Sequence, residues 1–324
     1  MAGPVDLAGS LDVFRRSGDD LLDRWDGQVW LRAVGVGDRM VGVAARPAGT
    51  VADPVLLVTA EGDAGAGAAE PGRPEGAEVH GAAVAAGRVL AAAFPAASEA
   101  LAELAAADPV VARIADRFPG VGPVLQPDLL TAVVRSISAQ QITLRFAAVL
   151  RGRLARRYGH RHRVPDPTGA EVWSLDPKRL AAAEVADLRE LQFSTSKAVA
   201  VVAFAGAVAS GRIDLEELAA LEDEAVVERL AAFPGIGRWT AEWLLARTLG
   251  RPRVVAGDLG VRKAVGAAYL DGRMPSEAEV REVTAHWGAA AGVAQQLLLH
   301  WLYAEAPPTS RRTATRPGRS SRPG

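Results

Sequence analysis

The segment FPGIGRWTAEW, from Phe233 to Trp243, constrains the fold of this chain more than any other. Residues 224–232 before it fit a short helix, and residues 238–249 fit a second one. Pro-Gly-Ile-Gly between them cannot continue a helix, because proline lacks a backbone donor and glycine is a poor helix former. The glycines at 235 and 237 also remove Cβ atoms where the chain must reverse. The sequence therefore predicts a helix, a hairpin and a second helix.

Two interpretations of this hairpin are open at the level of the residues. The first N–H groups of the second helix lack partners and lie at the positive end of the helix dipole, so a phosphate could bind there. Alternatively, the segment is an ordinary turn between packed helices. Residues 119–122, Pro-Gly-Val-Gly, repeat the pattern, but Pro123 and Pro127 follow it. No helix of similar length opens there, so we predict a loop.

Residues 1–96 are predicted to form a small α+β domain. Gly37-Asp38 occupies a hairpin position between two β-rich runs. Residues 61–78 are of low complexity, and we expect a flexible insertion there. An alanine-rich helix is predicted at about 82–93. Three β-rich runs bounded by Gly, Asp and Pro are predicted as strands, at Gln28–Val36, Arg39–Ala45 and Pro54–Thr59.

From about residue 97 the strand signals stop, and helical periodicity continues as far as residue 306. Apolar residues recur at helix spacing through 129–158, which predicts one or two long helices. Residues 307–324 carry five arginines, no acid and no apolar pattern, which is typical of a disordered basic tail. Pro and Gly bound the other predicted helices, at 178–187, 196–209, 222–231, 238–249, 259–269, 276–286 and 293–304.

Composition excludes several kinds of chemistry. The chain has no cysteine, which rules out disulfides, thiolate zinc sites, iron–sulfur clusters and thiol nucleophiles. His160 and His162 have no acid or third histidine nearby in the sequence, so no metal site is expected there. Because no apolar run reaches the roughly 18 residues of a membrane span, we expect no membrane partner and a cytoplasmic, nucleoid-associated location.

The formal net charge of −1 hides an asymmetry along the chain. Residues 135–163 hold eight arginines and no acid. Such a basic stripe is complementary to a phosphate backbone. A solvated helix face explains it equally well, because lysine contributes only three of the 37 basic residues and arginine is abundant throughout.

Three segments carry a resemblance to a known family: FPGIGRWTAEWLL at the hairpin, VVAGDLGVRKAVG around Asp258, and SISAQQIT at 136–143. Together they resemble the helix-hairpin-helix DNA glycosylases, and within them the branch for alkylated bases of the 3-methyladenine type. The resemblance covers roughly Asp108 to Ala304. It implies a mainly α protein, with a two-lobed all-α glycosylase domain over 97–306. The N-terminal part is more loosely similar to the TATA-binding-protein-like domain of that branch.

Members of this family flip a damaged nucleotide out of duplex DNA and hydrolyse the bond between base and sugar. The resemblance implies that Asp258 is the catalytic carboxylate, which stabilises positive charge developing on the sugar. The residues alone predict that Asp258 caps the helix that follows it. The two roles are compatible, because capping fixes the position of the carboxylate.

Trp239 and Trp243 are four residues apart and therefore share one helical face. Core packing is one interpretation of this pair. The resemblance implies instead that both indoles line the base pocket, where they attract the positive charge of an N3- or N7-alkylated purine by about 0.5–2 kcal/mol. It also places Gln140 and Leu302 in that pocket.

Relatives that also cut the DNA strand carry a lysine directly after the Gly-Arg of the hairpin, and this chain has Trp239 there. The resemblance therefore implies a monofunctional enzyme that uses water rather than an amine. It also implies that Gln141 fills the hole left by the flipped base. In the alternative interpretation, Gln140 and Gln141 are simply exposed at a helix end.

The resemblance further implies contacts with the DNA backbone and one ion. No cofactor is required, but a monovalent cation bridging to phosphate is expected at the hairpin. Its ligands would be the backbone carbonyls of Ala231, Phe233 and Ile236. Besides Gln141, the implied DNA-binding residues are Gly235, Gly237, Arg238, Thr240 and Lys263.

We therefore predict a base-excision repair glycosylase that acts as a monomer on alkylated bases in double-stranded DNA and leaves an abasic site. Two alternatives stay open. One is a glycosylase for deaminated bases such as hypoxanthine or uracil. The other is a helix-hairpin-helix protein that binds DNA without catalysis.

Overall fold

The computed structural model describes residues 1, 3–61, 75–95, 99–165 and 169–305. The predicted basic tail lies outside these residues. Of the predicted insertion at 61–78, residue 61 ends a strand and 75–78 begin a helix, while 62–74 lie outside the described part. Within the described ranges, no helix is long and apolar enough to cross a membrane.

The N-terminal region is a four-stranded antiparallel sheet with strands in sequence order. All three predicted strands are confirmed. Val36 pairs with Arg39, so the turn at Gly37-Asp38 is tight, and Gly37 has a φ of +62°. Two helices pack against the sheet, α1 (Leu7–Ser17) and α2 (Glu75–Ala92). The strands are β1 (Asp23–Trp25), β2 (Trp30–Val36), β3 (Arg39–Gly49) and β4 (Pro54–Glu61).

The core of this region is centred on Trp30, which is fully buried. Its ring stacks on Phe14 of α1 at 5.8 Å and meets the edge of Phe94 at 5.7 Å. Burial of one such aromatic side chain stabilises the fold by roughly 2–3 kcal/mol. Val124 also packs into this core. The loop that contains Val124 therefore returns from the helical region to the N-terminal one.

A second, two-stranded sheet corrects the prediction that strands end near residue 97. Strands β5 (Gly159–Arg163) and β6 (Glu171–Leu175) pair antiparallel. Their short polar sequences give little strand signal. They form because Val172 packs against Leu31 and Ala44 on the face of the large sheet. Since both faces of β2 are thereby covered, its residues 30–34 are buried without alternation.

The rest of the described chain is helical, which confirms the mainly α fold class behind a small α+β region. The helix predicted at 259–269 has those bounds, and 119–122 lie in a loop as predicted. The prediction of one helix at 178–187 is wrong, because the structure has two short helices there, Pro177–Ala181 and Val185–Glu190. The helices are α3 (Glu99–Ala107), α4 (Pro109–Arg117), α5 (Leu129–Ala139), α6 (Leu144–Tyr158), α7 (Pro177–Ala181), α8 (Val185–Glu190), α9 (Thr195–Ala209), α10 (Leu215–Ala220), α11 (Asp223–Ala231), α12 (Arg238–Arg247), α13 (Leu259–Tyr269), α14 (Glu277–Val283) and α15 (Ala291–Glu305), with a 3₁₀ segment at Ala285–Ala290.

These helices bury their apolar faces in two separate cores. The first gathers side chains of α5, α6, α9, α11 and α12 around Phe204 and Leu154. The second gathers those of α4, α13 and α15 around Trp287. Two lobes, each with its own core, are therefore present as predicted, and the chain crosses from one to the other between α12 and α13.

Buried ion pairs connect the N-terminal region to the first helical core. Asp20 and Asp23 are both almost fully buried. Asp20 pairs with Arg151 at 2.8 Å and with Arg135 at 2.9 Å, while Asp23 pairs with Arg135 at 2.8 Å. Burial alone would raise the pKa of Asp20, but the two guanidinium groups outweigh it and lower that pKa. The ionised pair therefore fixes the N-terminal region against α5 and α6.

Candidate active site

The hairpin between α11 and α12 has the predicted geometry. Gly235 has a φ of +75°, in the left-handed region that favours glycine. A Cβ atom there would stand 2.6 Å from the Cβ of Ala200 on α9. Gly237 is the N-cap of α12 and has open space where a side chain would be. The hairpin therefore packs tightly at its first glycine and is open at its second.

Asp258 is the N-cap of α13, as its position in the sequence predicts. Its Oδ1 atom accepts a hydrogen bond of 2.9 Å from the N–H of Val261, while Oδ2 has no hydrogen-bond partner among the described residues. The side chain is partly buried and lines a cavity of about 220 Å³ together with Trp239 and Trp243. The structure thus brings together the carboxylate and the two indoles that the sequence singles out.

Two glycines on either side of Asp258 create the space around it. A Cβ atom at Gly257 would stand 2.9 Å from Cδ1 of Trp239. One at Gly260 would stand 3.0 Å from Oδ1 of Asp258 and 3.1 Å from the hydroxyl of Tyr303. Contacts this short are strained for a real Cβ. The segment GDLG therefore lets an indole and a phenol approach the carboxylate.

Helix α15 closes the cavity with Leu299 and Tyr303, which sequence reasoning missed. The pocket assignment of Leu302 is corrected, since Leu302 does not line this cavity and packs against the second core. Burial, and next the negative charge of Asp258, raise the pKa of Tyr303, and the nearby Arg16 guanidinium lies 5.4 Å from the ring centre. The phenol therefore stays protonated at neutral pH and can donate a hydrogen bond into the cavity.

Three arginines of the cavity wall were also not predicted: Arg135, Arg151 and Arg247. The first two are paired with the buried carboxylates described above. Arg247, in the last turn of α12, has neither a hydrogen bond nor an ion pair from its guanidinium within the described chain. Burial lowers the pKa of Arg247 to about 10, opposed by the charge of Asp258. It therefore remains a cation at neutral pH.

The segment after α5 is fixed by a lysine. Nζ of Lys197 donates hydrogen bonds to the carbonyl of Ser138 at 3.0 Å and to that of Gln140 at 2.6 Å. Gln141 is exposed with a φ of +58°, as suits a residue projecting from a sharp turn. The pocket assignment of Gln140 is corrected: its amide donates to the carbonyl of Gly235 at 3.2 Å and does not line the cavity.

The predicted backbone contacts have different outcomes. Thr240 is corrected, because it is 1% exposed and its hydroxyl lies 3.4 Å from that of Ser136, so it cannot reach a phosphate. Arg238 is paired with Glu224 at 2.9 Å and with Glu242 at 3.1 Å. Lys263 is exposed on α13. For Gly235, Gly237, Arg238, Lys263 and Gln141, DNA contact stays a prediction.

An all-α pair of lobes joined to an α+β region, with a helix-hairpin-helix and a carboxylate facing two indoles, defines a helix-hairpin-helix protein with a candidate catalytic cavity. Residues 134–289 match the model of a family described as HhH-GPD superfamily base excision DNA repair protein. This match confirms the resemblance drawn from the sequence.

Individual relatives point to one branch of the superfamily. A DNA-3-methyladenine glycosylase of Bacillus subtilis is 28% identical over 187 residues, which is 57% of this chain and 61% of that protein. The match thus spans about three fifths of the relative's length. A 3-methyladenine DNA-glycosylase from Archaeoglobus fulgidus superposes with a TM-score of 0.76 at 25% identity, covering 94% of this chain and 97% of the other.

A third comparison concerns the fold alone. An 8-oxoguanine glycosylase/lyase of Clostridium acetobutylicum, in complex with double-stranded DNA, superposes with a TM-score of 0.65. Its identity is 16%, and the match covers 93% of each chain. The same architecture therefore occurs in a protein whose description includes lyase activity, so the reaction type must be argued from the residues of the cavity.

Proposed function

We propose that this protein is a DNA glycosylase that hydrolyses the N-glycosidic bond of a damaged base flipped out of double-stranded DNA. The observation that carries the proposal is the carboxylate of Asp258, with one oxygen unpaired, facing a cavity lined by Trp239 and Trp243. A base is a flat aromatic group, and indole faces stack on such groups. The names of the relatives support the same activity.

The proposed reaction uses the charge and the fixed position of Asp258. As the bond between base and C1′ breaks, the base leaves with the bonding electron pair and positive charge develops on the sugar. The carboxylate stabilises that charge at short range in a partly desolvated site. A water molecule then bonds to C1′ and loses its proton, for which Oδ2 is an available acceptor. The capping bond from Val261 holds the carboxylate without consuming both oxygens.

A monofunctional reaction is proposed because no amine lines the cavity. The chain has three lysines, all within the described ranges, and none is in the cavity wall. Lys197 is bound to the carbonyls after α5, and Lys263 is exposed on α13. Without a positioned amine, no Schiff base with the sugar can form. Borohydride should therefore trap no covalent complex between the protein and damaged DNA.

Alkylated bases of the 3-methyladenine type are the proposed substrates, as the names of the relatives suggest. The indole faces of Trp239 and Trp243 favour a cationic base. Deaminated bases are the second candidate, and one observation favours them: the unpaired guanidinium of Arg247 opposes a cation in the same cavity. Excision from duplexes that each carry one lesion decides between these classes.

The decisive experiment separates catalysis from DNA binding. Asp258→Asn keeps an N-cap side chain but removes the charge, so we expect base release to fall by at least 100-fold with DNA affinity unchanged. Asp214→Asn is the matched control, because Asp214 also caps a helix, α10, through a 2.7 Å bond to Glu217. Equal base release by the parent protein and the Asp258 variant would reject the catalytic role of Asp258, whereas DNA binding without release by either protein would favour the non-catalytic alternative.

The proposed partner is duplex DNA, bound by a monomer at the open side of the hairpin. Carbonyl oxygens are suitable ligands for a monovalent cation. In the hairpin, the Phe233 carbonyl accepts a bond of 3.2 Å from the N–H of Ile236 and keeps a second lone pair. The backbone carbonyls of Ala231, Phe233 and Ile236 would hold the ion, and the ion would screen the charge of a DNA phosphate. If so, DNA affinity at constant ionic strength should differ between potassium and tetramethylammonium salts.

A further inference from the structure

The polar groups of the cavity wall differ in whether they have partners. Arg135 and Arg151 are paired with Asp20 and Asp23 at 2.8 to 2.9 Å. Arg247 has no such carboxylate among the described residues. Gln126 is 4% exposed, and its Oε1 atom has no hydrogen-bond partner there. Buried polar atoms without partners are uncommon. Within the described residues the cavity wall contains three, Oε1 of Gln126, Nε of Arg135 and Nε1 of Trp239. Together with the partly buried Arg247, which has no carboxylate partner there, they point to a ligand that completes the wall.

Arg247 and Gln126 are neighbours in the structure. The N–H of Gln126 donates a hydrogen bond of 2.7 Å to the carbonyl of Arg247, and both side chains line the cavity that contains Asp258. This backbone bond joins the loop before α5 to the last turn of α12. The bond therefore brings these two residues together in one part of the cavity wall.

The chemistry of the two groups defines a complementary base edge. A guanidinium can only donate hydrogen bonds, whereas an amide also accepts them through its oxygen. Together they match a carbonyl oxygen adjacent to a ring N–H, which is the lactam edge of an oxopurine. An adenine ring alkylated at N3 has no carbonyl group and offers Arg247 only ring nitrogens, which the positive charge of the ring makes weak acceptors.

Charge adds a second preference. Arg247 keeps its positive charge at neutral pH, so a cationic base in the same cavity meets a like charge. Asp258 supplies one negative charge, which Arg247 balances. Asp258 therefore leaves no net negative charge to attract a cationic base, and a neutral base enters the cavity without the repulsion that a cationic base meets.

We propose that Arg247 and Gln126 are specificity-determining residues that read the lactam edge of a neutral extruded base. The proposal rests on the glycosylase function proposed above and refines its substrate class. Hypoxanthine, a neutral lactam, should depend most on the pair. 7-Methylguanine, a cationic lactam, should form the hydrogen bonds to Arg247 and Gln126 but should be repelled by the positive charge of Arg247. 3-Methyladenine, a cation whose ring nitrogens are weak acceptors, should gain little from the pair.

For each base, the release rate of a variant is divided by that of the parent protein. The intrinsic stability of the glycosidic bond is the same in both rates and therefore cancels. Arg247→Gln removes the charge, Arg247→Lys keeps the charge but loses the planar donor pair, and Gln126→Leu removes the amide. Single-turnover release is measured for hypoxanthine, 7-methylguanine and 3-methyladenine. Arg113→Gln is the control, because this exposed arginine on α4 does not line the cavity.

We expect Arg247→Gln to slow release of hypoxanthine by about 10- to 100-fold, the effect of losing a hydrogen bond to a charged donor. Release of 3-methyladenine should stay constant or rise. Arg247→Lys should slow hypoxanthine release without any rise for 3-methyladenine. Gln126→Leu should slow release of both lactams by about tenfold or less and leave 3-methyladenine unchanged. The Arg113 control should change none of the ratios.

Two results would overturn the proposal: an equal loss for all three bases, as expected from a merely structural role, or no change for hypoxanthine. Affinity for a duplex containing 2′-fluoro-inosine, which resists cleavage, is a second measurement that does not need activity. Arg247→Gln should weaken it about tenfold or more relative to an undamaged duplex. A parent protein that discriminates in binding but releases no base would reject the proposed reaction and leave the base-reading role supported.

Discussion

Replacement of Gly260 by alanine should lower activity with little effect on stability, because the helix preference of alanine and the strain of its short contacts oppose each other. Gly260 is the second residue of α13, and its φ is not in the left-handed region. Alanine favours a helix over glycine by up to about 1 kcal/mol. For a chain of this size, that gain alone corresponds to a rise of about 2 °C in melting temperature, and the strain of the short contacts offsets it.

The same methyl group would stand 3.0 Å from Oδ1 of Asp258 and 3.1 Å from the hydroxyl of Tyr303. A comfortable carbon–oxygen contact is a few tenths of an ångström longer, so the carboxylate must move by about that amount. Displacements of about 1 Å can lower rates by about 100-fold, so we expect single-turnover base release to slow by about tenfold.

The assay pairs thermal melting with single-turnover excision from a saturating excess of protein. Gly81→Ala is the matched control, since Gly81 lies in helix α2 with open space around its missing side chain. That variant should gain stability without losing activity. If Gly260→Ala releases base as fast as the parent protein, the active position of Asp258 does not require a residue without a side chain at position 260.

Three further predictions follow from buried contacts. Gly235→Ala should destabilise the fold by about 2 kcal/mol or more, measured by urea unfolding, because its φ is +75° and its Cβ would clash with Ala200. Asp20→Asn should cost about 3–5 kcal/mol in the same assay, because it leaves two buried guanidinium groups without their shared carboxylate. The pKa of Asp108 is lowered in the fold: burial opposes this, but the hydroxyl of Tyr269 and other donors outweigh burial. The stabilisation from Asp108 is therefore present above the unfolded pKa of about 4 and lost as pH falls through the folded value. Asp108→Asn should reduce the loss of stability on acidification, and an unchanged pH profile would contradict this assignment.

The sequence predicts well those parts of the site that are close together along the chain. Trp239 and Trp243 share a helical face because of their spacing, and Asp258 begins the next helix. The same spacing continues to Arg247, which is four residues beyond Trp243 and therefore lies on the same face of α12. An arginine in phase with two pocket indoles is therefore a candidate for the cavity wall from sequence alone.

The remaining site residues depend on contacts that no local pattern encodes. Leu299 and Tyr303 face the cavity because their neighbours Leu297 and Leu298 are 1% exposed in the second core. α15 is apolar on most of its surface, so its sequence gives no indication of which side faces the core. Strands β5 and β6 are a similar case, since the sheet they cover is more than 100 residues earlier in the chain.

The arrangement around Asp258 depends more on absent atoms than on attractive contacts. Within the part of the chain that the structure describes, one hydrogen bond, from the N–H of Val261, holds the carboxylate, and it is a bond that any N-cap residue of this type can make. The specific feature is the pair Gly257 and Gly260, which admits Trp239 on one side and Tyr303 on the other. Asparagine at 258 would keep the cap and the fold, whereas alanine at 260 would keep the charge and displace it. If the two substitutions impair base release while leaving the melting temperature intact, the site requires both the charge and its position.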